Sequence, residues 1–211
     1  MASGISAQKS KLFIATGTGG AKNISAITVG FPAIVTSNGH GLNNGDVVTL
    51  AGITGTMSSL NGTQRVVMNK TANTFALYDT DTTGLAYTSG GTATPQAYTK
   101  IAGINSFDGF DGSADDLDTT DLDSDGKEYI SGLRDEGKFG FEAKRLRTDP
   151  GQIALRANLI SGAVVPMRLE LSDGTVVSFS VLVKTMPIGG AVNAVLKGKI
   201  DCKISGAIAV V

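Results

Sequence analysis

The sequence predicts a mainly β, α+β chain: a sandwich or barrel with one covering helix, and a small all-β domain inserted near its start. Three observations lead there. Gly is abundant, 28 of 211 residues, and Thr, Ser and Asp crowd the polar positions, which is the composition of short strands and many turns. The second half alternates apolar and charged residues at a period of two, the strand signature. Only one stretch carries helix signals at both ends. With 41% hydrophobic and 18% charged residues, the chain has enough apolar side chains for a core and does not have the composition of a disordered segment.

In chain order, residues 1–22 contain one apolar run, Leu12-Phe13-Ile14-Ala15, which ends in Gly17-Thr18-Gly19-Gly20. Residues 23–93 carry only five charges: Asp46, Arg65, Lys70, Asp79 and Asp81. Here Val47–Leu50, Arg65–Met68 and Thr74–Leu77 read as short strands. Asn38-Gly39, Asn44-Gly45, Asn61-Gly62 and Gly90-Gly91 separate them with residues that tolerate a positive φ. The segment begins and ends in Gly/Ala/Thr/Pro stretches, so it is expected to be inserted into a host domain built from residues 1–22 and 94–211.

In the host part, Phe139, Phe141 and Ala143 alternate with Lys138, Glu142 and Lys144. The predicted helix spans Asp149–Ser161. Asp149 suits the N-cap, Pro150 the first turn, and Gly162 a left-handed C-cap. Ile153, Ala157 and Ile160, with Ala154 beside them, supply the expected apolar face. Val165, Met167, Leu169 and Leu171 then share one side of a strand, and Ser172-Asp173-Gly174 makes a turn. Val177, Phe179, Val181 and Val183 line the return strand. Near the end Leu196, Gly198, Ile200, Cys202 and Ile204 oppose Lys197, Lys199, Asp201 and Lys203.

Charge is distributed unevenly. Nine acids fall between 108 and 128, whereas from Lys127 onward 12 Lys/Arg face 8 acids. The formal net charge is −1, which gives no general attraction for nucleic acid or anionic lipid. The single Cys (Cys202) and single His (His40) leave a Cys/His zinc cage short of ligands. The opening MASGISAQKSKL has no apolar signal-like stretch, and no apolar run approaches the roughly 20 residues of a membrane helix.

The sharpest local motif is Asp121-Leu122-Asp123-Ser124-Asp125-Gly126, which matches the early positions of an EF-hand loop. The closing Glu is missing, because position twelve is Gly132. Asp121, Asp123 and Asp125 are therefore a weak calcium candidate, and an acidic exposed turn is the favoured reading. Gly17–Lys22 has the wrong spacing for a phosphate loop and reads as a hinge. His40 lies in a turn with no nucleophile motif, and Cys202 sits on the apolar side of a strand. The basic knot Lys144-Arg145-Leu146-Arg147 is expected to pair with acids of this chain or a neighbour. Nothing assembles an active site, so no enzyme activity and no cofactor are expected.

From Tyr98 onward the chain resembles the major tail tube protein of long, non-contractile, lambda-like phage tails. The likeness rests on motifs in order: Tyr98–Ile104, a Gly/Asp-rich loop at Phe107–Ala114, Asp118–Ser124, Lys127–Gly137, the Phe139–Ala143 strand, the helix, the Leu171–Thr175 hairpin and Ile204-Ser205-Gly206. Residues 11–16 would be the first strand. Residues 23–93 resemble the first catalytic-cysteine half-domain of ubiquitin-activating enzymes, in fold only, since they contain no Cys.

The resemblance implies a tail-tube-type sandwich or barrel and hexameric rings stacked into a virion tail tube through which DNA passes without specific binding. It also implies contacts with tail terminator, tape measure and distal tail proteins, and synthesis in the host cytoplasm. The 105–137 segment would include a loop or hairpin that reaches a neighbour. Its candidates for a subunit junction or the lumen are Asp108, Asp111, Asp115, Asp116, Asp118, Asp121, Asp123, Lys127, Glu128, Arg134 and Asp135. Two other readings are an inner-tube protein of a type VI or contractile injection system, and a calcium-dependent adhesive or carbohydrate-binding β protein.

Overall fold

The period-two runs become strands with alternate residues buried. The computed structural model describes residues 4–211, and its first strand is β1 (Lys11–Thr18). There follow β2 (Lys22–Asn23), β3 (Ala26–Ile27), β4 (Ile34–Thr36), β5 (Val47–Ala51), a short 3₁₀ turn (Thr56–Leu60), β6 (Gln64–Met68) and β7 (Thr74–Leu77). Next come β8 (Thr92–Lys100), β9 (Ile104–Gly109), β10 (Ser113–Asp118), β11 (Tyr129–Asp135) and β12 (Lys138–Lys144). The helix α1 (Pro150–Ser161) precedes β13 (Val164–Glu170), β14 (Val176–Thr185), β15 (Lys197–Ile204) and β16 (Ala209–Val210).

Neighbouring strands run β3-β4-β7-β6-β5-β8-β1-β13-β14-β15-β12-β9, with β2 added to β8 and β16 to β14; β10 and β11 form a separate pair. Two buried clusters lie along this path. One joins Leu12, Ile14, Ile101, Phe139, Phe141, Met167, Phe179, Val181, Ile200 and Cys202 with their neighbours. The other draws on residues between Ile24 and Ala93, including Val35, Leu50, Met57, Phe75 and Leu77. In the first, the Phe139 ring centroid lies 4.9 Å from that of Phe179, and Phe110 meets Phe179 edge-on at 5.1 Å. Such pairs add to simple burial. Cys202 is part of this core, and burial pushes its thiol up to about 12, so it behaves as a small hydrophobe.

β8 belongs to both halves. Its residues 92–95 pair with β5, and residues 96–100 pair with β1. The expected boundary after residue 93 thus falls inside a continuous strand. A second tie is Arg168, whose Nη1 donates to Asp46 at 2.6 Å while its guanidinium lies 5.0 Å from the Phe13 ring centroid and 4.7 Å from that of Tyr98. Ser178 donates to the Gly45 carbonyl at 2.7 Å. Gly45 has φ +83°, and a Cβ there would meet Val176 at 2.3 Å, so this loop docks closely because it has no side chain.

Three sequence expectations need correction. The buried face of α1 is Gly151, Gln152 and Leu155, with Ala154 and Leu159 partly covered; Ile153 is 55% and Ile160 77% exposed, and Ala157 is exposed as well. Gln152 is buried because its amide donates to the carbonyls of Ala102 (3.0 Å) and Lys144 (2.8 Å) and accepts from the Leu146 N–H (3.0 Å). Gly151 presses on the backbone of Lys100 and Ile101. Leu196 is exposed, lying just before β15 rather than on its buried side. The expected loop at Phe107–Ala114 is partly strand, shared between the end of β9 and the start of β10.

The caps were read correctly: the Asp149 carboxylate accepts from the Gln152 N–H at 2.8 Å, and Gly162 takes φ 65°. His40, expected in a turn, is also buried. Its Nδ1 accepts from the Leu42 N–H at 2.9 Å and its ring meets Phe75 edge-on, which is a structural role.

Candidate functional site

The residues singled out by the sequence lie in two different settings. The first is the open face of β9, β12 and β15, opposite the core, where the strand period puts charges side by side. Lys199 donates to Asp108 at 2.9 Å, Lys197 to Glu142 at 2.8 Å, and Lys203 to Asp135 at 2.7 Å. Asp111 accepts from the Lys138 N–H at 3.0 Å, with the Lys138 ammonium 3.7 Å away.

The local hydrogen bonds shift these groups. The Lys138 backbone N–H holds the Asp111 carboxyl below its ordinary value. The Lys203 ammonium, then the Gly137 N–H, does the same for Asp135, and Lys197 followed by Asn105 for Glu142. The Asp108 carboxylate raises Lys199. Three of the candidates, Asp108, Asp111 and Asp135, are therefore matched by lysines within this chain.

The second setting is the β10–β11 hairpin. Its strands pair with each other, from Ser113 opposite Asp135 to Asp118 opposite Tyr129, with a register shift between Ala114 and Asp116. The loop 119–128 is organised by its own side chains. Asp118 accepts from the Thr120 N–H at 2.9 Å, and the Thr120 side chain, followed by that N–H, holds its carboxyl below the ordinary value. Asp121 Oδ1 accepts from the Asp123 N–H at 3.0 Å and the Ser124 hydroxyl at 3.1 Å. The Glu128 N–H donates to Thr120 Oγ1.

These contacts account for the motif that resembles a calcium loop. Asp121 spends an oxygen on its own turn, and Gly132, at the closing position, lies within β11. Among the described residues no group of three His, Cys, Asp or Glu side chains converges to hold a metal ion, so Asp121, Asp123 and Asp125 are not brought together as ligands.

The hairpin is open to solvent on both faces. Leu122 is fully exposed, Leu133 is 94% exposed, and Leu117, Tyr129 and Ile130 are each about half exposed. Within it Lys127 lies 4.0 Å from Asp118, and Arg134 reaches Glu136 at 3.3 Å. Asp115, Asp116, Asp121, Asp123, Asp125 and Glu128 take part in no ion pair among the described residues. A two-stranded hairpin is marginal in water by itself, and this one exposes five large hydrophobic side chains.

A feature missed in the sequence lies at the far end of β12. Leu146, Ile153 and Leu196 line an open groove whose rim carries Arg145, Arg147 and Arg156. The outward turn of Ile153 creates it, and this could not be read from a pattern that placed Ile153 in the core.

Three comparisons bear on these surfaces. Residues 77–207, more than half of the chain, match the family model described as lambda phage tail tube protein, TTP. Residues 31–96 match the ubiquitin-activating enzyme E1 FCCH domain, and the two matches overlap across the start of β8. Among solved structures, a chain from the cryo-EM structure of the anti-feeding prophage (AFP) baseplate, 6-fold symmetrised, is similar at 11% identity and a TM-score of 0.43. That match covers 55% of this chain and 84% of that one. No curated protein matches the sequence.

Proposed function

Since the chain belongs to the lambda phage tail tube protein family, and is thus a structural component of a virion tail that assembles with itself into a tube, we propose that its copies close into hexameric rings that stack into the conduit for DNA ejection into the host. The carrying observation is the family match over residues 77–207, which spans the hairpin, the β9 edge strand and α1. Physical features support it. β9 ends the strand order and has no strand on its outer side among the described residues. It carries one charged residue, Asp108, and no Pro or Lys to discourage pairing. A neighbouring copy can complete this edge, and a ring of such contacts leaves no edge open.

A conduit must let DNA slide. Carboxylates without cationic partners, such as those of Asp115, Asp116, Asp121 and Asp123, repel phosphate and offer none of the counterion release that makes DNA bind. They suit the bore or a subunit junction. Synthesis in the bacterial cytoplasm and contacts with terminator, tape measure and distal tail proteins belong to the same reading. Among the described residues no helix is long and apolar enough to cross a membrane. A role without catalysis accounts for the chain's chemistry: the buried His40 and Cys202 and the partly buried Tyr98 serve its packing.

Residues 23–93 form, in this reading, a folding unit that projects outward from the tube, since an inward one would block the bore. Electron microscopy of the purified protein tests the whole. Six-fold rings or tubes are expected. A species that stays monomeric at high concentration, and rings of another order, would each contradict it.

A further inference from the structure

We propose that the groove beside α1 is the socket for the β10–β11 hairpin of a second copy of this chain. The proposal rests on the self-assembly reading and adds to it the address of the contact. Each surface has what the other lacks. The hairpin presents Leu122, Tyr129 and Leu133 among acids, with eight Asp/Glu against two Lys/Arg between residues 113 and 135. The groove presents Leu146, Ile153 and Leu196 among Arg145, Arg147 and Arg156, and no acid lines it. None of these three arginines makes an ion pair among the described residues. Apolar side chains inside a ring of opposite charges provide both burial and orientation.

The hairpin of the same chain does not fill the groove, because Leu146, Ile153 and Leu196 are all exposed. Topology explains this. The hairpin enters β12 at Lys138, whereas the groove begins at Arg145, just past the other end of that strand. Lys197, next to Leu196, pairs with Lys144 at that same far end. Seven residues of strand separate the two surfaces, which at about 3.3 Å each is roughly 20 Å. A plug at one end of a sheet and its socket at the other make a head-to-tail contact. Such a contact does not close on itself as a pair; it builds rings or filaments according to its rotation.

Two chains with one added cysteine each, Leu122→Cys and Ile153→Cys, test the address; both positions are exposed, and the native Cys202 is buried. Mixed, allowed to assemble and treated with copper–phenanthroline, they are expected to give disulfide-linked dimers that neither chain gives alone. Tubes visible by electron microscopy without a linked dimer would overturn the socket while leaving self-assembly intact; absence of any assembly in the unmodified protein would overturn both. A charge exchange provides the second arm. Arg147→Glu with Arg156→Glu is expected to slow assembly at least tenfold, and adding Asp121→Lys and Asp123→Lys to restore it. Failure of the second pair to restore assembly would also overturn the proposal.

Discussion

The β10–β11 hairpin runs directly into β12, yet it and the β12–β15 pair differ in almost every physical respect. β12 and β15 bury Phe139, Phe141, Ile200, Cys202 and Ile204 on one face and match lysines to carboxylates on the other. The hairpin buries none of its large side chains and leaves six of its acids unmatched. The patterning differs as well: β12 and β15 alternate apolar with charged residues, whereas Asp, poor in strands, makes up half of β10. The contrast teaches where stability ends and assembly begins. The β12–β15 face is packed and charge-matched within the single chain, whereas the hairpin's large side chains are left exposed by it.

Substitutions can sharpen this contrast. Phe139→Ala, in the aromatic cluster, is expected to cost the isolated chain about 3–5 kcal/mol, read as a lowered midpoint in urea unfolding. Arg168→Ala breaks a mostly buried ion pair with Asp46 and two ring contacts. Its expected cost is about 3 kcal/mol, and it should also loosen residues 43–46 in hydrogen exchange. The burial around Tyr98, which raises its phenol pKa, comes from this same junction, with Arg168 acting in opposition.

The smallest expected effect is that of pH on the exposed pairs. Asp111, Asp135 and Glu142 have depressed pKa values, so their contribution is complete above the ordinary carboxylate values of 3.8 and 4.5 and is lost as pH falls through their lowered ones. Lys199 is raised, so its contribution is complete below the ordinary 10.5 and is lost as pH climbs past its own value. Between pH 6 and 8 these pairs should leave the melting temperature unchanged. Asp135→Asn should flatten the acid limb of a stability–pH curve.

Much of the fold was legible because local rules and tertiary packing agreed. Thr74–Leu77 is β7 to the residue, and the Asp149 and Gly162 caps bound the helix as their chemistry dictates. The helix face was misread because periodicity counts apolar residues, while the buried position went to Gln152, which satisfies three backbone groups of the crossing chain. β9 and β10 hid behind Asp and Gly. As for the candidate site, the sequence located the acidic run and the basic knot but could not sort them. Which acids meet lysines across strands depends on register, and that Arg145 and Arg147 make no ion pair among the described residues depends on where β12 ends. The exposed apolar residues of the hairpin gave no signal at all, since a lone Leu122 in an acidic loop has no period.

Hydrogen exchange on the free chain and on assembled tubes tests the central claim most directly. Amides of β12 and β15 should be protected in both states, while those of β10 and β11 should exchange quickly in the free chain and become protected on assembly. Equal protection of the hairpin in the two states would contradict the account.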